Sequence, residues 1–297
     1  MKKILYLVLI SLVVFSCERP KPSHLNYKSV KLENSLLWQI SGNGLKSPSY
    51  LFGTDHLIGA NFLDSLPDVM DKFKRCKAVV CEVVLDTNAG KLSREWFLKD
   101  DLLSKEFTPK EFTKIDSLLG RYSKVRLMQL NGLKPIYVAL FLSVSMTPKT
   151  SSPENPGLDK YFQQKGIERG IKVLGLETEK FQQNTLADIP IDIQKKELRF
   201  LINNIDFLKK SKKDNFNFYR HQDLNKMDKL ILSYSDTPPE VMDQFIKDRN
   251  TKWVRDLPAI MMDQPTFIAV GAGHLLWDCG LVNQLRLKGY SVTPVTN

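Results

Sequence analysis

Short apolar runs recur along the chain, and each closes on a turn residue or a polar one. Leu36-Leu37-Trp38-Gln39-Ile40 and Ser49-Tyr50-Leu51-Phe52-Gly53 flank Ser41-Gly42-Asn43-Gly44, which is strong turn chemistry, so the pattern predicts a β-hairpin over 34–54. Val69, Met70 and Phe73 share one side of an amphipathic helix from Pro67 to Lys77. That helix leads into Ala78-Val79-Val80-Cys81, a buried type of strand. Ile171 to Gly175, Thr266 to Val270 and Tyr290 to Val295 are three further strand runs.

Between them the period changes to that of helices. Segments 97–119 and 123–146 carry apolar residues at helical spacing, with breaks expected at Gly120 and Pro135. The apolar stretch 135–146 is too short to cross a bilayer. Residues 147–156, rich in Ser and Pro, read as a loop. Leu158 to Arg169 is a helix capped by Gly170, and Leu281 to Lys288 is another. Long polar-amphipathic helices fill 181–256. Strands alternating with helices make the fold class α/β: a central mixed, largely parallel sheet with flanking helices and a helical insert or cap.

Composition adds a compartment. The chain has 297 residues, 42% of them hydrophobic and 26% charged, enough for a sizeable core. Lys2 and Lys3 precede a short apolar run, Ile4 to Phe15, in the manner of a secretory signal. Ser16-Cys17 resembles a bacterial lipoprotein cleavage site, which would leave the lipid on Cys17; the alternative is an ordinary signal peptide with an incidental cysteine. The expected organisation is a signal peptide at 1–16, a polar tether at 17–33 and a single domain at 34–297. The expected location is the cell envelope, exported and lipid-anchored, with the outer membrane as the membrane.

Loss of Lys2 and Lys3 takes the formal charge from +10 to +8. The densest basic patch, Lys209 to Lys213, reads as a solvated helix end facing an anionic lipid surface. No basic-aromatic interleaving points to nucleic acid. The remaining cysteines, Cys76, Cys81 and Cys279, match no zinc spacing and are too few for a disulfide scaffold.

Candidate chemistry sits at the strand ends. Two matched stretches, SYLFGTDHLI and TFIAVGAGHLL, each run from strand to Gly-x-x-His, in a chain with four histidines. They deliver Asp55 with His56, and His274. AVVCE delivers Glu82, and IKVLGLE delivers Glu177. In an open α/β sheet, ligands bind beyond the carboxyl ends of the strands. Two imidazoles with one or two carboxylates suit a divalent metal. Gly53, Gly271 and Gly273 would permit sharp turns and close backbone approach. Each residue also has a plainer reading. The histidines can be hydrogen-bonding core residues, Glu82 a cap, Glu177 a first-turn acid and Asp55 a turn acceptor. Arg249, in KDRNTKW, reads as a helix-surface residue. His24 and His221 receive no role. No G-x-S-x-G, H-E-x-x-H or P-loop is present.

At these residues the sequence resembles the TraB/GumN family, which includes the animal TIKI proteins. The stretches that carry the resemblance are LLWQISG, SYLFGTDHL, the helix into VVCE, GLDKYFQQKGIERGIKVLGLET, RNTKW, and TFIAVGAGHLL through GLVNQLRLKGYSV. The resemblance implies a fold similar to erythromycin-esterase-like and ChaN-like proteins, with a site made from both GxxH motifs and a glutamate. TIKI members are described as manganese- or cobalt-dependent proteases. Carried over, His56, His274 and Glu82 match the motif positions, and Glu177, Arg249 and Asn250 match further ones. Two departures stand out. Asp55 replaces a usually apolar or small residue, and Trp277 lies near a frequent glycine.

The expectation is thus a membrane-anchored hydrolase dependent on manganese, cobalt or zinc, acting on a peptide or small-molecule substrate. His56 and His274 would be ligands, Glu82 a ligand or general base, and Glu177 a second ligand or an orienting group. The alternative is a non-catalytic binding lipoprotein for haem, a metal ion or a peptide signal.

Overall fold

The computed structural model describes residues 27–84, 94–99, 101–233 and 238–295. The signal run, Cys17 and the proposed tether up to residue 26 lie outside these. One six-stranded sheet organises the chain. Strands β1 (Leu37–Ser41) and β2 (Ser49–Thr54) form the expected antiparallel hairpin, with Trp38 opposite Leu51. The turn uses left-handed backbone at Gly42, Asn43 and Gly44, the residue types that tolerate it. Helix α1 (Pro67–Arg75) buries Val69 and Phe73 and leads into β3 (Ala78–Val83).

The helical middle breaks differently from its apolar pattern. Phe97 to Leu119 is not one helix: a short turn at Leu103–Glu106 precedes α2 (Pro109–Ser123). A capping box between Thr108 and Glu111 starts α2, with Pro109 at its first position. Gly120 does not end α2, because a helix interior tolerates one glycine at modest cost. Helix α3 (Pro135–Met146) is buried on nearly every side, so its uniform apolarity marks a core helix. Among the described residues no helix is long and apolar enough to cross a membrane.

Helix α4 (Leu158–Glu168) and Gly170, at φ +64°, lead into β4 (Lys172–Glu177). Then come α5 (Glu179–Ala187), α6 (Ile191–Asn203), α7 (Ile205–Arg220), α8 (Leu224–Ser233) and α9 (Asp248–Asp263). β5 (Thr266–Gly271), α10 (Leu281–Leu287) and β6 (Ser291–Pro294) complete the fold.

The strand order is β4-β3-β5-β2-β1-β6. β4, β3, β5 and β2 run parallel to one another, while β1 is antiparallel to both β2 and β6. The class is α/β with a mixed, mostly parallel sheet. A layer of rings, Phe52, Phe73, Phe162 and Phe267, packs α1 and α4 onto one sheet face, with Phe162 and Phe267 centred 4.7 Å apart.

Of the residues expected within the tether, Tyr27, Val30 and Leu32 pack on the domain. Leu32 is buried, Tyr27 lies 5.1 Å from Trp277 ring to ring, and the Tyr27 hydroxyl donates to Asp243 at 2.9 Å. Cys76, Cys81 and Cys279 are free thiols.

Candidate functional site

The four parallel strands point their carboxyl ends to one edge of the sheet. β2 and β5 are adjacent, with Gly53 paired to Val270 and Thr54 to Gly271, so the two GxxH segments leave the sheet side by side. Gly53 is not a turn residue. It lies within β2, and a Cβ there would sit 3.1 Å from Ala272, so its role is close approach of the turn that carries His274.

Glu82 is the penultimate residue of β3, with its side chain buried. Its Oε1 accepts from the Gly271 N–H at 2.8 Å. Its Oε2 accepts from Arg249 Nη2 at 2.6 Å and from Gln182 Nε2 at 3.2 Å. Burial opposes the charge on Glu82, but Arg249 and the neighbouring imidazoles outweigh it and hold the carboxyl at about 2.

Glu177 is the last residue of β4, and the next residue, Thr178, caps α5 by accepting from the Phe181 N–H. The glutamate is therefore not a first-turn acid. Arg249 Nε donates to both its oxygens at 3.0 Å, and Trp253 Nε1 donates to Oε1 at 3.1 Å.

Arg249 corrects the surface reading. On α9 it is 5% exposed, spans both glutamates, and has its guanidinium 4.7 Å from the Trp253 ring. The polar segment KDRNTKW looked solvated because its partners lie 72 and 167 residues away.

His274 sits in a short turn after β5, 1% exposed. Asn250 Nδ2 donates to the His274 and Cys279 carbonyls, which leaves Oδ1 for His274 Nδ1 at 2.7 Å. Nδ1 therefore carries the proton, and Nε2 accepts from Arg249 Nη1 at 3.1 Å. Burial drives this imidazole down to about 3, with Arg249 adding to the effect against the pull of Glu82.

His56 follows β2 and takes a different partner. Its Nδ1 faces Asp159 Oδ2 at 2.5 Å, and the Thr54 hydroxyl donates to the other oxygen of Asp159. Burial lowers this histidine, but the Asp159 carboxylate outweighs it and raises it to about 9. Its Nε2 is buried with no hydrogen-bond partner. Asp55, beside it, accepts from the Leu57 N–H at 2.8 Å, as a turn acceptor does.

A cavity of about 150 Å³ lies against these groups. Thr54, Asp55, His56, Gly271, Gly273 and His274 are among the residues that line it. Trp277 closes part of it at φ +68°, a left-handed conformation suited to glycine, and its indole donates to Asp228 at 2.7 Å.

A model of the TraB/PrgY/gumN family matches residues 36–294. The chain belongs to that family. No curated protein matches it. The matched region takes in every residue of the cluster above.

The donor chemistry suits a divalent ion: two imidazole Nε2 atoms, one of them unpartnered, and Glu82 Oε1 with a lone pair beyond its backbone bond. The places are not gathered, however. Among the described residues no three His, Cys, Asp or Glu side chains group around one point, and Arg249 holds the His274 lone pair.

Sequence reasoning missed Asp159, Gln182, Trp253 and Lys212. Asp159 lay in the GLDKYF stretch of the family resemblance, which is the one signal that pointed to it.

Proposed function

We propose that the chain is a membrane-anchored hydrolase of peptide or other amide bonds, using a divalent ion (manganese, cobalt or zinc). The observation that carries this reading is His56 Nε2, a buried ring nitrogen with no partner, on a ring oriented from behind by Asp159; an ion there would take the place of its proton. His56, His274 and Glu82 would hold the ion, with Arg249 releasing His274 Nε2 to make room. A bound ion of this kind polarises a carbonyl and brings the pKa of bound water toward about 7.

The chain's own groups supply the rest. Asp159 fixes the His56 ring, and Asn250 fixes the tautomer of His274. Glu82 stays ionised at neutral pH, so it can accept a proton from water if it is not a ligand. Glu177 keeps the Arg249 guanidinium in place. Anchoring rests on the leader and Cys17, with lipid on that cysteine.

Elemental analysis of the purified chain beside a His56→Ala/His274→Ala variant tests this. About one manganese, cobalt or zinc per chain, lost in the variant together with peptide hydrolysis, is the expected result. Unchanged metal content and turnover in the variant would remove the reading.

Arg249 favours a second reading. It already neutralises both glutamates and occupies His274 Nε2. In that case the cluster is a rigid wall and the chain captures a small ligand without cleaving it. A cavity of about 150 Å³ suits a group near the size of one ring better than a haem.

A further inference from the structure

The cavity has a second wall that the hydrolytic reading does not use. Helix α7 lays Leu208, Ser211, Lys212, Asn215 and Phe216 along it, at positions i, i+3, i+4, i+7 and i+8. Within the patch read as a solvated helix end, Lys209, Lys210 and Lys213 are exposed, but Ser211 and Lys212 turn inward. Lys212 is 9% exposed and Ser211 6%.

Lys212 forms no hydrogen bond and no ion pair among the described residues, although it feels the charge of Asp55, which also lines the cavity. A buried ammonium without a partner is costly, so a lysine placed this way calls for an anion. Burial pushes Lys212 down to about 7, with Asp55 opposing. Asn215, one turn further along α7, has its Oδ1 buried with no donor. Residues three apart on a helix lie about 5–6 Å apart at Cβ. The wall thus offers one cation and one neutral acceptor, about 5–6 Å apart at their roots. The space around them is apolar, lined by Leu57, Met227, Ile231, Met242 and Ile246.

That pairing discriminates between anions. A phosphate brings acceptor oxygens to both positions, and Asn215 Oδ1 repels them. An acylated α-amino acid brings a carboxylate and an amide N–H on one carbon, one group for each position. Its side chain would enter the apolar part, and a volume of about 150 Å³ holds one such group.

We propose that Lys212 and Asn215 form a subsite for the carboxyl-terminal residue of a peptide, with Lys212 taking the terminal carboxylate and Asn215 the adjacent amide N–H. The inference rests on the hydrolytic reading and names its substrate: a peptide ending in an apolar residue with a free carboxylate. The carbonyl of that amide then lies toward His56 and His274. Cleavage breaks the amide C–N bond; water supplies hydroxyl to the acyl carbon and a proton to the leaving amine.

The test needs no turnover. Titration calorimetry on the full chain in detergent compares N-acetyl-L-leucine with N-acetyl-L-leucinamide at mildly acidic pH. The acid is expected to bind at least about tenfold more tightly, a preference of about 1.4 kcal/mol. Lys212→Met should bring the two ligands level, and Asn215→Ala should weaken both. The preference should shrink above neutral pH as Lys212 loses its proton, with Asp55, His56 and His274 the other titratable groups lining the cavity. A melting curve for Lys212→Met confirms that the variant is folded. Equal binding of acid and amide, no measurable binding of the acid, or a preference that survives Lys212→Met would overturn the subsite. A chain that keeps the preference but cleaves no peptide would overturn the hydrolytic reading alone.

Discussion

Arg249 Nη2 lies 2.6 Å from Glu82 Oε2, an ion pair in which neither side chain is more than 5% exposed. The same guanidinium binds Glu177, so one cation balances two buried carboxylates. Removing it leaves both unpaired. Arg249→Met should lower stability by about 3–5 kcal/mol, the usual result of breaking a buried pair from one side. Urea unfolding checks this, and a loss below about 1 kcal/mol would show that water reaches the cluster.

The two imidazoles are each held from behind, His56 by Asp159 and His274 by Asn250. If they bind metal, Asp159→Asn and Asn250→Ala should each weaken metal affinity about 10–100-fold while leaving the ligand atoms in place. Competition with a fluorescent chelator reads the change. Affinities unchanged in both variants would separate these partners from the metal site.

Backbone approach gives a contrasting pair of glycines. A Cβ at Gly157 would sit 2.2 Å from the His56 carbonyl oxygen, so Gly157→Ala must displace the His56 segment. We expect a loss of about 1–3 kcal/mol. At Gly120, inside α2, a Cβ meets nothing within 4 Å. Gly120→Ala should gain about 0.5–1 kcal/mol from helix propensity. Thermal melts of the two variants should therefore shift in opposite directions.

Lys212 gives stability a sign with pH. Its pKa falls from 10.5 in the unfolded chain to about 7 in the folded one. Between those values the unfolded state binds more protons, so stability contributed by this group rises with pH from 7 to 10.5. Below pH 7 the cost is present in full. Lys212→Met should stabilise the protein most below neutrality, on the order of 5 kcal/mol for the fall from 10.5 to about 7 at about 1.4 kcal/mol per pKa unit. The advantage should fade toward pH 10.5. Denaturant melts at several pH values check this, and a constant difference across the range would mean that Lys212 is not buried charged.

Much of the sheet was legible because strand signals are local. SYLFG, AVVC and TFIAV are apolar but for Ser49 and Thr266 at their starts, and each became a buried strand. The hairpin was readable for the same reason, since Gly42, Asn43 and Gly44 allow the turn without reference to anything distant. The matched GxxH motifs pointed to the two strands that turned out to be neighbours, and the family resemblance covered the whole fold.

What lay beyond the sequence was carried on helices. Arg249, Asp159 and Lys212 each sit in a polar segment, and in isolation such a segment reads as a solvated face. A charged side chain's burial depends on what stands around it, and that comes from distant parts of the chain: Glu82 pairs with Arg249 and His56 with Asp159, while Lys212, unpaired, feels only the charge of Asp55. By itself, then, the sequence determined which segments are strands, where the strand-end histidines and glutamates fall, and the family. Only the tertiary structure decided which charges meet, because electrostatic pairing and desolvation follow distance in space, and spacing along the chain does not report it.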